Sequence, residues 1–150
     1  MTRKVLIYKG DVVKLVKLIM GLKGSGKTKQ LIELVRKADR DEAGAVVFVT
    51  KGSKLIYDIP RAIRFIDTSQ IGLESYEFLK GFICGVFSTN YDITHFFIDR
   101  PTKILGLPPD AGFEGFLEWC EGFSGRENVK FTITISADIA LATDKIKKYF

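Results

Sequence analysis

The stretch that most constrains this chain is residues 21–28, Gly21, Leu22, Lys23, Gly24, Ser25, Gly26, Lys27 and Thr28, which fill the pattern G-x-x-x-x-G-K-[ST] at every required position. An apolar run, Val16–Met20, leads straight into it. After it Leu31, Leu34, Val35 and Ala38 recur at i, i+3, i+4 and i+7, the pattern of one helix face, which predicts a helix from Thr28 to about Asp39. Strand, glycine-rich loop and helix in that order have a physical consequence. The glycines let successive backbone N–H groups turn into one concavity, and the helix N-terminus adds partial positive charge there, so the loop is shaped to hold a phosphate. By this spacing all eight residues are candidate nucleotide contacts. Lys27 is the candidate catalytic residue, reaching the β- and γ-phosphates, and the Thr28 hydroxyl is a candidate ligand of Mg²⁺.

Around this unit, short β-rich runs alternate with helical periodicity, which predicts an α/β fold with a mainly parallel sheet. Strands are expected at Ala45–Thr50, Arg64–Asp67, Thr94–Asp99 and Phe131–Ser136. Helices are expected at Gly72–Ser88, near Phe113–Phe123, and at Asp138–Tyr149 with Ile139, Ala142, Ile146 and Tyr149 facing inward. Prolines 101, 108 and 109 predict a loop after Asp99. A chain of 150 residues has room for one domain. Residues 15–150 are assigned to it, and residues 1–14 are read as an N-terminal leader or an extra edge strand at Val5–Tyr8.

Composition sharpens the class. Lys and Arg outnumber Asp and Glu by 23 to 18, a net charge of +5 that suits an anionic partner. Two cysteines and one histidine exclude a zinc cluster or a disulfide scaffold, and predict two buried thiols in a reducing cytoplasm. Lys9, Gly10 and Asp11 interrupt the first apolar run too early for a signal peptide, and the longest apolar stretch falls short of the ~18 residues of a membrane span. A cytoplasmic protein with no membrane span is expected.

A magnesium site of this kind needs an acid at the end of a buried strand. Phe96, Phe97, Ile98, Asp99 supplies one, an apolar run that ends abruptly in a carboxylate. Asp67, ending Arg64–Asp67, is the rival, with a simpler reading as a cap for the turn that follows it.

These residues resemble the P-loop NTPases, whose Walker A motif is the loop 21–28, and the resemblance covers most of the chain from Val16 onward. It implies a three-layer α/β/α fold with ATP and Mg²⁺ as ligands. No N-K-x-D guanine motif occurs, so ATP is expected rather than GTP. In the RecA-like branch of the family a strand lies between the loop strand and the acid-bearing strand and ends in a polar sensor; Phe131–Ser136 looks like that strand, with Ser136 as the sensor. GSGKTKQLIELVRKA and YDITHFFID also resemble the nucleotide-binding core of type II thymidine kinases. Arg100, however, stands where those kinases have a glutamate base, and the cysteines of their zinc-bearing lasso are missing. The chain is also similar to small bacterial ATP-binding proteins labelled twitching-motility (PilT-like) ATPases, whose motor namesakes carry further domains and motifs.

The expectation that follows is a Mg²⁺-dependent ATP-binding protein with slow or partner-activated hydrolysis. The alternatives are a non-hydrolysing switch that binds a protein or nucleic-acid partner, or a small-molecule kinase whose acceptor site comes from Pro101–Asp110. With no visible lid, a homo-oligomer or a protein partner is expected to complete the site. Asp58, Glu74, Glu114 and Asp138 are the acids weighed for activating water, and Arg100, Arg61, Arg64 and Lys51 the cations weighed for the γ-phosphate. His95 is read as a satisfied core histidine, and Phe113, Phe116, Trp119 and Phe123 as core or interface rather than a base-stacking platform.

Overall fold

The apolar runs pair side by side in one sheet, and all but the edge strand Arg64–Asp67 are buried along nearly their whole length, as strands covered on both sides must be. The computed structural model describes residues 14–150 and, before them, the backbone of Ile7–Tyr8 (β1) and Asp11–Val12 (β2). These two short strands pair antiparallel in a ladder separate from the main sheet. Of the proposed edge strand Val5–Tyr8, Val5 and Leu6 lie outside the described residues.

The main sheet contains β3 (Val16–Gly21), β4 (Ala45–Thr50), β5 (Arg64–Asp67), β6 (Ile93–Asp99) and β7 (Lys130–Ser136) in the order β3-β7-β6-β4-β5, all parallel. The last strand in sequence thus lies between β3 and β6, and its register sets Asp99 opposite Thr134 and Thr134 opposite Ile19.

Helices cover both faces, giving three layers. On one face α1 (Lys27–Asp41) buries Leu31, Val35 and Ala38 against Val46 and Phe48 of β4 and Phe97 of β6, helped by Ile59 and Ile63 from the irregular segment after β4. On the other, α2 (Tyr76–Thr89), α3 (Pro101–Leu105), α4 (Ala111–Glu127) and α5 (Asp144–Lys147) bury a larger core with Leu79, Ile83, Phe113, Phe116, Leu117 and Ile146 against β3, β4, β6 and β7. Each large apolar side chain sealed in this way stabilises the fold by about 1.5–3 kcal/mol relative to exposure.

Four local expectations are corrected. The stretch after Asp99 is not all loop: Pro101 is the first residue of α3, where its missing N–H costs nothing and its fixed φ suits a helix start. α2 begins four residues later than Gly72, where the Ser75 hydroxyl accepts the Phe78 N–H. The C-terminal helix is broken into a 3₁₀ turn, Ile139–Leu141, and α5. Asp138 and Thr143 each accept a backbone N–H two or three residues on, a local bond that competes with continuous helix, and Ile139 is consequently exposed while Ala142, Ile146 and Tyr149 are buried. Finally, only Cys120 is buried; Cys84 faces outward on α2. No helix among the described residues is long and apolar enough to cross a membrane.

Candidate functional site

At the carboxyl edge of the sheet, where crevices form between strand ends and helix starts, a cavity of about 390 Å³ opens over the ends of β4, β6 and β7. Lys23, Gly24, Gly26, Lys27 and Thr28 line it from the glycine-rich loop, and Asp99, Arg100 and Lys103 line it from the end of β6 and from α3. Of the remaining loop residues, Gly21 ends β3, Leu22 turns its carbonyl to the Lys27 Nζ, and Ser25 donates its backbone N–H to Leu22.

The loop has its shape because two of its glycines adopt a left-handed backbone, Gly24 at φ 85° and Gly26 at φ 89°. Only glycine does so without strain. Gly21 differs from them: a Cβ there would stand 2.6 Å from the Ser25 Oγ, so a larger residue would displace that hydroxyl. Gly26 precedes α1 directly, no side chain caps that helix, and no acid lies in its first turn, so its first N–H groups face the cavity edge without a protein anion. Lys27 donates to the Leu22 carbonyl at 2.9 Å. Its ammonium is held below the ordinary lysine range, first by burial and then by the Arg100 charge, against the pull of Asp99.

Asp99 is buried and fixed on both oxygens: Oδ2 accepts the Thr50 hydroxyl at 2.8 Å and Oδ1 the Thr134 hydroxyl at 2.9 Å. The Arg100 Nε lies 3.5 Å from Oδ1. Charge across the cavity is therefore lopsided, with Lys23, Lys27, Lys54, Arg100 and Lys103 facing a single carboxylate among its lining residues. Such a surface attracts a polyanion, and the uncapped helix start supplies the N–H donors to seat a phosphate. Thr28 and Asp99 are hard oxygen donors of the kind Mg²⁺ takes, and each Asp99 oxygen keeps a lone pair beyond its threonine bond, so the pair fits that ion.

The other candidates are dispersed. Asp67 accepts from the Gly52 N–H at 2.7 Å and from the Ser69 N–H and hydroxyl; it is a cap and does not line the cavity. Asp58 and Glu74 are exposed, Asp138 caps its own turn, and Glu114 accepts the Thr143 hydroxyl. Arg61, Arg64 and Lys51 are exposed and do not line the cavity, though Lys51 stands between the lining residues Thr50 and Gly52, so Arg100 alone of the four weighed cations lines it. Ser136 at the end of β7 does line it. His95 is a satisfied core histidine, with Nδ1 2.6 Å from Glu42 and Nε2 2.8 Å from the Thr132 hydroxyl. Phe113, Phe116 and Phe123 are core residues, and Trp119 packs against that core.

Thr50, Thr134, Lys54, Leu55 and Lys103 also line the cavity and were not among the sequence candidates. The available signal was a polar residue at or near the carboxyl end of a strand: Thr50 is the last residue of β4, and Thr134 stands two residues before the last of β7. No protein-family model matches the chain, and no curated protein matches it in sequence.

Proposed function

We propose that the chain is a P-loop nucleotide-binding protein that takes Mg²⁺-ATP in this cavity, with hydrolysis that is slow or waits for a partner. The observation that carries the reading is the convergence, in one cavity, of a complete G-x-x-x-x-G-K-T loop at an uncapped helix start, five cations and a single buried strand-end acid. In this reading the loop amides would hold the β-phosphate, Lys27 would reach the β- and γ-phosphates, and Thr28 and Asp99 would hold the ion, which would supply positive charge to the phosphates. The lack of an N-K-x-D motif favours adenine over guanine.

Slow turnover follows from the carboxylates. Hydrolysis needs a group that orients and deprotonates a water. The one lining acid, Asp99, is buried, accepts a threonine hydroxyl on each oxygen and is the residue this reading gives to the ion, and the next residue is Arg100. A base supplied by a second copy or a protein partner answers this. Leu22, Ile56 and Tyr57, exposed in the two segments that edge the cavity, offer apolar surface for such a contact. The non-hydrolysing switch rests on the same missing base, whereas a kinase acceptor site at Pro101–Asp110 is disfavoured because α3 occupies half of that segment and buries Ile104 and Leu105.

Titration of the protein with labelled ATP in the presence of Mg²⁺ tests the reading. Wild type is expected to bind, and Lys27→Ala to lose roughly a hundredfold in affinity, as removal of a charge-assisted phosphate contact in a partly buried site does. Unchanged affinity in that variant refutes it. Phosphate release over a long incubation then separates the slow ATPase from the switch, which releases none.

A further inference from the structure

Arg100 is built into the cavity in an unusual way. Its backbone lies at φ 52° and ψ 70°, and among the described residues it and Asn128 are the only non-glycine positions with positive φ. A left-handed residue carrying a Cβ costs on the order of 1–2 kcal/mol, and Asn tolerates the conformation far better than Arg. The strain is held in place by its surroundings: the Arg100 N–H donates to the Thr134 carbonyl at 3.0 Å and lies 3.1 Å from the Thr134 hydroxyl, while Pro101 starts α3 immediately after. Glycine would serve this turn better, so what the position gains from arginine is its side chain.

That side chain is not needed to settle Asp99. Both Asp99 oxygens already accept threonine hydroxyls, and at 3.5 Å the Arg100 Nε is beyond ordinary N–H···O length. Among the described residues the guanidinium meets no other carboxylate. It is about one-third exposed and lines the cavity beside Lys27 and Lys103, all three cationic. Its position along the sheet matters too. β6 is separated from β3 by β7, so Arg100 begins about 10 Å across from the strand that feeds the glycine-rich loop, two strand spacings away. A phosphate seated on the loop amides would therefore have Arg100 facing it across the same cavity, within the span of a polyphosphate chain.

We propose that Arg100 reads the terminal phosphate: its guanidinium takes γ-phosphate oxygens of a bound nucleoside triphosphate and sets the preference of the cavity for triphosphate over diphosphate. The inference rests on the nucleotide reading above. The planar fork of arginine suits two phosphate oxygens at once, which a lysine point charge does not. The residue directly after the strand-end acid is thus a cation that senses the terminal phosphate. Occupancy by ATP and by ADP then differ at α3, whose first turn begins on Arg100.

The test is Mg²⁺-ATP and Mg²⁺-ADP titration of wild type, Arg100→Gly and Arg100→Lys, with thermal unfolding of each empty protein. Arg100→Gly removes the guanidinium and relieves the left-handed strain, so its melting temperature is expected at or above that of wild type, which separates lost binding from lost folding. Wild type is expected to prefer ATP. In Arg100→Gly, ATP affinity falls roughly tenfold or more, ADP affinity changes less than twofold, and Arg100→Lys recovers part of the preference. Equal loss for both nucleotides, no loss, or a wild type without preference overturns the role of Arg100 while leaving the site intact. A wild type that binds neither nucleotide overturns the site itself, and this role with it.

Discussion

The two ends of strand β6 carry two polar clusters of similar parts and opposite condition. Near its start, His95 is sandwiched between Glu42 and Thr132, and Glu42 also accepts the Thr94 hydroxyl at 2.8 Å and pairs with Lys130 at 3.3 Å. At its end, Asp99 is held between Thr50 and Thr134. The first cluster closes on itself. With a neutral imidazole, Nδ1–H donates to Glu42 and the Thr132 hydroxyl donates to Nε2, so every polar atom has a partner and Lys130 balances the carboxylate. The second is open: its one carboxylate is outnumbered by five cations, and after burial the Arg100 charge is what holds the Lys27 ammonium below its ordinary range. A closed cluster stabilises a fold, whereas one left electrostatically incomplete is where a ligand of the missing sign belongs.

The largest break in this contrast is expected from Glu42→Ala. It strips the closed cluster of its only anion and leaves His95 and Lys130 without it. Leaving the polar groups of a partly buried network without their shared acceptor costs about 1–3 kcal/mol, to be read as a fall in unfolding free energy in urea. ATP affinity is expected to stay within twofold, because Glu42 sits at the far end of the strand. Comparable losses in both quantities would show that the two ends are not independent.

Acid titration probes the same cluster more gently. Burial works to raise the Glu42 carboxyl, but the His95 bond and charge, the Thr94 hydroxyl and Lys130 outweigh it and bring it from its ordinary 4.5 down to about 2. Burial also lowers His95, against the opposing pull of Glu42. Both groups therefore bind protons less readily folded than unfolded. Their stabilising contributions are complete above the unfolded values and are lost as pH falls through the folded ones. Stability is expected to decline first below pH 6.5, as His95 resists protonation, and again between 4.5 and about 2. Urea unfolding across pH checks this, and Glu42→Gln should flatten the lower limb; a limb that survives the substitution belongs to other carboxylates.

The open end was the more legible of the two in the sequence, and the reason is local. The phosphate loop needs glycines and a lysine at fixed offsets within eight residues, so one-dimensional spacing carries it. Asp99 was visible because an apolar run stopped at an acid. Thr50 and Thr134 were not, because what matters about them is register: Asp99 faces Thr134 across the β6–β7 ladder, and Thr50 comes from the strand on the other side. The closed cluster was still less visible, since Glu42 lies 53 positions from His95, just past the end of α1. Errors in the elements themselves had the same origin. Pro101 reads as a loop former along the chain and becomes a helix start only because Arg100 turns left-handed before it. The break at residues 138–143 comes from side-chain bonds that hydrophobic periodicity ignores.

The smallest and most discriminating change is the same substitution made at both ends. Thr132→Val and Thr50→Val each replace a buried hydroxyl by a methyl of similar size, so the main change is the loss of a hydrogen bond. Each is expected to lower stability by about 1–2 kcal/mol, the cost of leaving a buried partner unsatisfied. At the closed end the effect should stop there, because Thr132 serves only the His95 Nε2. At the open end Thr50 holds the Asp99 Oδ2, so its loss also frees the acid that the ion would use, and ATP affinity in Mg²⁺ should weaken severalfold while affinity without Mg²⁺ changes little. Equal Mg²⁺ dependence in wild type and Thr50→Val would mean that Asp99 has no part in holding the ion and that its two threonine bonds are, like those of His95, a matter of folding alone.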